Sequence, residues 1–255
     1  MLISDRQVEQ FRDEGYFVTE PMWEQDQLKR ISDEIDRLLD QNIRATDADP
    51  MASDKDRELA RLRPFIGHAH MDSGVLCEFI KSPIYLEACA KLIGPDADLY
   101  YNQIVVKAAE KGLAFGWHQD SGYQQTEPLA YITCWMAITR AHVENGGIWL
   151  IPGSHKRGLI THTRNEKDSS KDAAIQDDAG AIPIELEPGQ VAVFSSLTLH
   201  KSGPNRSSDV RKSYVVQYHI PGLINKRTGK TWGDCYPVLR DGERVDVAVP
   251  EPVTG

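Results

Sequence analysis

Beyond Gly94-Pro95 the chain carries no pattern for a long helix. Its apolar residues fall in short runs rich in β-branched and aromatic side chains: "DLYYNQIVVKAA", "LAYITCWMAITRA", "GGIWLIPG", "IPIELEPGQVAVFSS" and "KSYVVQYHI". Gly, Pro and Asn punctuate them. Runs of this texture are strands. Neighbouring parallel strands need a helix-length crossover, and none separates these runs, so an antiparallel sandwich or barrel is expected. Within it, "LEPGQVAVF" predicts a tight turn at Pro188-Gly189 joining two strands. The polar insertion 156–181 is too long for an ordinary connection and reads as a lid or binding segment.

The front of the chain has the other periodicity. Ser4 and Gln7 form a capping-box pattern before Val8 and Phe11, and Gly15 supplies a stop, which predicts a short helix. Over 24–41, Leu28, Ile31, Ile35, Leu38 and Leu39 recur at helical spacing against a charged face. The stretch 42–70 has no clean period and reads as a long loop with one helical turn. Helix returns over 74–93, restarted at Ser82-Pro83 by a cap and a first-turn proline. The expected organisation is one domain over 1–255: a mainly helical front (1–95), a β core (96–222) holding the insertion, and a C-terminal extension (223–255).

Bulk properties narrow the partners. Among 255 residues the net charge is −9, so no nucleic-acid partner is expected, because binders of phosphate backbones show a basic footprint. Cys77, Cys89, Cys134 and Cys235 lack metal-knuckle or disulfide spacing and read as reduced thiols. The N-terminus turns charged by its fifth residue and no run of about 18 apolar residues occurs. A cytoplasmic protein without membrane attachment is expected, as a monomer or homodimer.

The chemistry begins at "FGWHQDSGY" (115–123). Residues two apart on a strand share a face, so His118 and Asp120 can present an imidazole and a carboxylate to one point. Such a pair alone also arises by chance. His200, just past the apolar strand "VAVFSSLTLH", is a third candidate. Two histidines and one carboxylate leave three open positions in an octahedral shell, the arrangement that suits non-haem Fe(II) oxygenases. Oxygen activation needs a reductant, and a chelating 2-oxo acid with its far carboxylate on an arginine is one route. Arg211, eleven residues after His200, offers planar two-point recognition, and Ser202 and Ser213 offer hydroxyl donors. The turn "GPNRSSDV" would bring Arg211 near His200.

His118-Gln119-Asp120, then "NGGIWLIPGSHKRG" (145–158), then His200 with Arg211 resemble the phytanoyl-CoA dioxygenase (PhyH) family of Fe(II)/2-oxoglutarate-dependent oxygenases. The opening "QVEQFRDEGYFVTEPMWEQDQLKRI" is similar to that family's N-terminal helices and first strand. The resemblance covers nearly the whole chain and implies a mainly β (α+β) fold, a double-stranded β-helix (jelly-roll, cupin-like) with helices on one side. It implies His118, Asp120 and His200 as iron ligands and Arg211 on the C5 carboxylate of 2-oxoglutarate. Ser202, Gln103 and Trp135 follow as further co-substrate contacts, and Ser213 stands beside them as the hydroxyl donor read above. It further implies O2 as oxidant, succinate and CO2 as co-products, ascorbate as an in vitro reductant, and a small-molecule substrate hydroxylated at an aliphatic C–H bond. The acid at 120 argues against a halogenase.

Tyr123, Trp149 and His68 are the candidate substrate contacts, although aromatics such as Tyr123, Trp149 and Trp232 are ordinarily packing residues. His68 and His70 form a second His-x-His without a third partner. His142, His155 and His162 sit at loops and read as structural hydrogen-bonding residues, His219 as a core histidine. Lys156, Arg157, Arg164 and Lys167 could meet nucleotide phosphates of an acyl-CoA. Two other readings stay open: a cupin-like metal enzyme without 2-oxoglutarate (isomerase or ring-cleaving dioxygenase), and a non-catalytic ligand-binding barrel.

Overall fold

The computed structural model describes residues 1–62, 64–111, 113–164, 171–173, 175, 178–231 and 236–246. Five helices lead the chain: α1 (Asp5–Glu14), α2 (Gln25–Ala48), α3 (Asp54–Leu62), α4 (Gly74–Phe79) and α5 (Pro83–Leu92). Early strands are β1 (Tyr16–Val18), β2 (Phe65–Gly67), β3 (Ala97–Lys107), β4 (Phe115–His118), β5 (Thr126–Glu127), β6 (Ile132–Ala137) and β7 (Ile148–Leu150). After them come β8 (His162–Arg164), β9 (Lys171–Ala173), β10 (Ile182–Ile184), β11 (Val191–Ser195), β12 (His200–Ser202) and β13 (Arg211–His219). The last are β14 (Ile224–Asn225), β15 (Lys230–Thr231), β16 (Tyr236–Arg240) and β17 (Glu243–Arg244).

Two antiparallel sheets face each other. The larger runs β1-β11-β6-β13-β3-β16-β17, with β2 also on β3, and the smaller runs β10-β7-β12-β4. This is a jelly-roll architecture with helices on one side. Alternation sorts the larger sheet's side chains. Ile104, Val106, Cys134, Met136, Val193, Tyr214 and Val216 point outward and pack with Ile31, Ile35, Leu38, Leu76 and Ile84 of the helices. Val105, Trp135, Ala137, Ala192, Phe194 and Val215 point inward, against Ile148 and Leu150 of the smaller sheet. A sheet buried on both faces reads as near-continuous apolar runs, which is why these strands stand out in the sequence.

The helical front follows its signals. Ser4 caps α1 with the Gln7 reciprocal bond, and Gly15 closes it at φ 84. That glycine is required twice over, since a Cβ there would lie 2.4 Å from His155 Nδ1 and 2.7 Å from Thr198 Oγ1.

One expectation is corrected. Residues 42–70 are not a long loop: α2 runs on to Ala48 and α3, β2 and a 3-10 turn at Ala69–Met71 follow. The Pro188-Gly189 turn forms as expected and leads from β10 in the smaller sheet into β11 in the larger. In the C-terminal part, β16 pairs with the start of β3 and extends the larger sheet. Cys77, Cys89 and Cys134 are buried free thiols, and burial pushes the Cys134 thiol well up; Cys235, Trp232 and Lys167 lie outside the described residues. No helix among the described residues is long and apolar enough to cross a membrane.

Candidate active site

His118 ends β4 and His200 begins β12, and the antiparallel register sets them directly opposite each other. Their rings are 4.0 Å apart between centroids. Asp120 enters from the short turn after β4, its Oδ1 lying 3.8 Å from His118 Nε2 and 3.5 Å from His200 Nε2. All three ligand atoms lie within 4.8 Å of one another, close enough for one metal ion. The rest of each side chain is already committed. His118 Nδ1 bonds the Gly116 carbonyl (2.8 Å) and His200 Nδ1 the Thr198 carbonyl (3.0 Å), so each Nδ1 carries the proton and each Nε2 lone pair faces the centre. Asp120 Oδ2 accepts from Thr133 Oγ1 (2.6 Å) and Gln217 Nε2 (2.9 Å), which turns Oδ1 toward the histidines. Burial, and then the neighbouring His200, hold the His118 imidazole well below its ordinary pKa, so it is a neutral ligand at neutral pH.

The triad sits in a cavity of about 520 Å³, in the range of small-molecule sites. Tyr123, Gln103, Trp135, Ser202 and His68 line it, as do Phe65, Tyr101, Phe115 and Tyr131. Asp120 is the one carboxylate among the lining residues. His68 adopts φ 53 and packs edge-on against Tyr101 (4.9 Å). His70 points elsewhere, buried on Asn102 (2.6 Å).

Other expected residues are placed differently. Trp149 does not line the cavity. On β7 its neighbours Ile148 and Leu150 face the barrel interior, so alternation turns Trp149 outward, where Lys201 Nζ lies 5.6 Å from its ring. Ser202 does not meet Arg211; it accepts from Lys107 Nζ (2.8 Å). The "GPNRSSDV" segment crosses between sheets instead of joining paired strands, so β12 and β13 are not neighbours. Arg211 is buried behind Trp135, its guanidinium carbon 5.3 Å from that ring. It donates to Ser213 Oγ (2.6 Å), and its Nε has no partner. Burial without a carboxylate beside it pushes the guanidinium down to about 9.

Gln119 is an unexpected member. Being on the opposite face from the ligands, it points away from the metal position as alternation requires, but into protein and not solvent. Its Nε2 donates to the carbonyls of Gly158 (2.8 Å) and Leu197 (2.7 Å), and its Oε1 accepts from Ile160 N–H (2.8 Å). Its own N–H donates to His162 Nε2 (2.9 Å), and His162 packs where a Cβ on Gly122 would stand. The start of the insertion is thereby tied to the ligand turn. His155 makes its expected structural bond, to the Arg12 carbonyl (3.1 Å), and His219 is buried against Tyr100. Sequence reasoning also missed Thr133, Gln217 and Lys107. Each is a polar residue on the inward face of an apolar strand, a pattern visible in "ITCWMA", "YVVQYH" and "YNQIVVK".

Comparison with known proteins agrees with this geometry. A model of the phytanoyl-CoA dioxygenase (PhyH) family matches residues 11–213, about four fifths of the chain. The chain is 25% identical over 240 residues to a probable phytanoyl-CoA dioxygenase of Caenorhabditis elegans, covering 85% of this chain and 75% of that protein. It is 31% identical over 134 residues to the methylphosphonate hydroxylase of Gimesia maris, covering 52% of this chain and 49% of the relative. Among solved structures it resembles EvdO2 of Micromonospora carbonacea var. aurantiaca complexed with 2-oxoglutarate, with TM-score 0.69 and 21% identity over 90% of this chain and 98% of that one. The family match and the convergent His118–Asp120–His200 set make the chain a member of the phytanoyl-CoA dioxygenase (PhyH) family, a 2-oxoglutarate-dependent non-haem iron dioxygenase by class.

Proposed function

We propose that the protein hydroxylates an aliphatic C–H bond of a small, largely uncharged metabolite or natural-product intermediate. Substrate, 2-oxoglutarate and O2 are converted to alcohol, succinate and CO2. The observation that carries this reading is the convergence of His118, Asp120 and His200 on one point of the cavity wall.

The residues present fit a metal. Three donors of the right type converge, with their remaining atoms hydrogen-bonded. They also fit an anion, because Arg211 is a buried cation whose Nε lacks a partner. His118, Asp120 and His200 would hold Fe(II), which when bound supplies the activation of O2 coupled to 2-oxo acid decarboxylation. Arg211 supplies positive charge at the far end of the co-substrate, with Ser213 fixing its guanidinium. Gln103, Trp135 and Ser202 form the co-substrate wall; Tyr123 and His68 border the substrate. The aromatic walls exclude water and favour an apolar or ring-bearing substrate. Reduced, buried Cys77, Cys89 and Cys134 suit a cytoplasmic location, with the chain acting as a monomer or homodimer.

The test is succinate formation by purified protein given Fe(II), 2-oxoglutarate and ascorbate. His118→Ala and Arg211→Ala are expected to reduce it to background. Wild-type succinate yields from either variant would refute the assignment.

A further inference from the structure

We propose that Tyr101 is a specificity-determining residue that hydrogen-bonds a hydroxyl or carbonyl oxygen on the ring of an uncharged substrate, with His68 bracing its phenol. This rests on the reading of the cavity as the site of a 2-oxoglutarate oxygenase and narrows which substrates it takes. Three backbone irregularities meet at this side chain. The first is a β-bulge: Gln217 of β13 faces Tyr101 and Tyr218 faces Leu99, which leaves Tyr100 as the extra residue of β3. Two consecutive tyrosines therefore line the cavity, where strict alternation would admit one. The second is Gly67 on β2, where a Cβ would lie 2.4 Å from Tyr101 Oη, so its absence lets the phenol rest on that strand. The third is His68, held at φ 53 and ψ 30 with its N–H on the Asn102 carbonyl (2.8 Å) and its ring edge-on to Tyr101. Left-handed backbone outside glycine is uncommon and clusters at ligand sites.

The Tyr101 hydroxyl is uncommitted. Thr133 and Gln217 both spend their donors on Asp120, whereas Tyr101 Oη has no hydrogen-bond partner among the described residues and is not sealed from the cavity. Burial pushes the Tyr101 phenol above its ordinary pKa, so it stays protonated and donates. Its place on the sheet also suits a substrate contact. Tyr101, Gln217 and Thr133 form one cross-strand row over β3, β13 and β6, the row that holds Asp120. Adjacent strands are about 4.8 Å apart, so a ring whose oxygen sits on Tyr101 lies beside the His118–Asp120–His200 cluster. Among the described lining residues the carboxylates and amino groups are Asp120, Lys107 and Lys201. Asp120 faces the two histidines, Lys107 ends β3 roughly 20 Å further along the strand, and Lys201 Nζ turns outward to Asp178 (2.9 Å). A charged group at Tyr101 would meet none of them, while a neutral oxygen meets a donor. Selection for an uncharged, oxygen-bearing ring follows.

The experiment is a ligand-observed NMR titration of protein loaded with Zn(II) and 2-oxoglutarate, using phenol, toluene and benzoate as probes and comparing wild type with Tyr101→Phe. Phenol and toluene match in size and differ in the oxygen; benzoate brings a charge. Wild type is expected to bind phenol about fivefold more tightly than toluene, the size of one hydrogen bond, and benzoate more weakly than phenol. Tyr101→Phe should bind phenol and toluene within about twofold of each other. Its 2-oxoglutarate affinity and melting temperature should match wild type, because Oη has no partner within the protein. Absent phenol binding by wild type, unchanged phenol affinity in the variant, a preference for benzoate, or a lowered melting temperature of the variant overturns the role of Tyr101 while leaving the functional reading intact. Failure of the wild type to bind 2-oxoglutarate overturns both.

Discussion

Replacing Gln119 with Leu tests the tie between the metal-ligand turn and the insertion. The side chain is fully buried and makes three hydrogen bonds, to the Gly158 and Leu197 carbonyls and from the Ile160 N–H. Leucine fills a similar volume and satisfies none of them. A buried polar group left unpaired costs about 1–3 kcal/mol. Gly158, Ile160 and Leu197 are each only partly buried, so water recovers some of the loss and the sum falls to roughly 2–4 kcal/mol. For a chain of this size about 1 kcal/mol moves Tm by roughly 2–4 °C, so metal-free Gln119→Leu should melt roughly 5–15 °C below wild type. Gln119→Glu should be at least as destabilised, because a carboxylate would face two carbonyl oxygens. Thermal melts and urea titrations of metal-free protein measure both. A Gln119→Leu melt within about 2 °C of wild type would show that the insertion is not held through this residue.

Two further outcomes follow from the same geometry. Thr133→Val removes the 2.6 Å donor to Asp120 Oδ2 and leaves Gln217 alone to orient the carboxylate, so metal affinity should fall about 10- to 100-fold with the fold intact; an unchanged Ni(II) dissociation constant would refute it. Burial holds His70 at about 4, against 6.5 for an ordinary imidazole, so between those values the unfolded chain binds a proton that the folded one does not. Stability should therefore fall as pH drops from about 6.5 toward 4. In urea titrations across that range, His70→Asn should show a shallower decline, and parallel profiles would sink the assignment.

How much of this was legible depends on whether a feature is local. The capping box at Ser4 and the apolar stripe of α2 are local patterns, and both elements form as read. The last seven residues of α2, 42–48, were missed because they lack an apolar stripe; yet nothing stops the helix there until Pro50, which forces Asp49 to be extended (ψ 114). Helix α3 had its own signal, because Ser53 and Asp56 exchange capping bonds, but charge on every side hid it.

The site divides in the same way. Strand alternation made His118 and Asp120 readable as a pair, although Asp120 lies in the 3-10 turn just after β4 and not on the strand, and His200 was readable as a third donor. What the period of two cannot say is what covers each face. Gln119 was placed on the correct side of its strand, but that side is roofed by a segment some 40 residues later. Likewise Lys107 and Ser202 meet across 95 positions, and Lys107 opposes Arg211 only because β3 and β13 adopt one particular register. The His118–Asp120 pair is therefore set locally by β4 and the turn after it, while His200 comes to it through the β12–β4 register and Lys107 meets Arg211 through the β3–β13 register. A one-residue slip of β13 on β3 would turn Arg211 out of the barrel while leaving the His118–Asp120 pair untouched, so the three-donor cluster and the buried Lys107–Arg211 pairing are separable parts of the barrel interior.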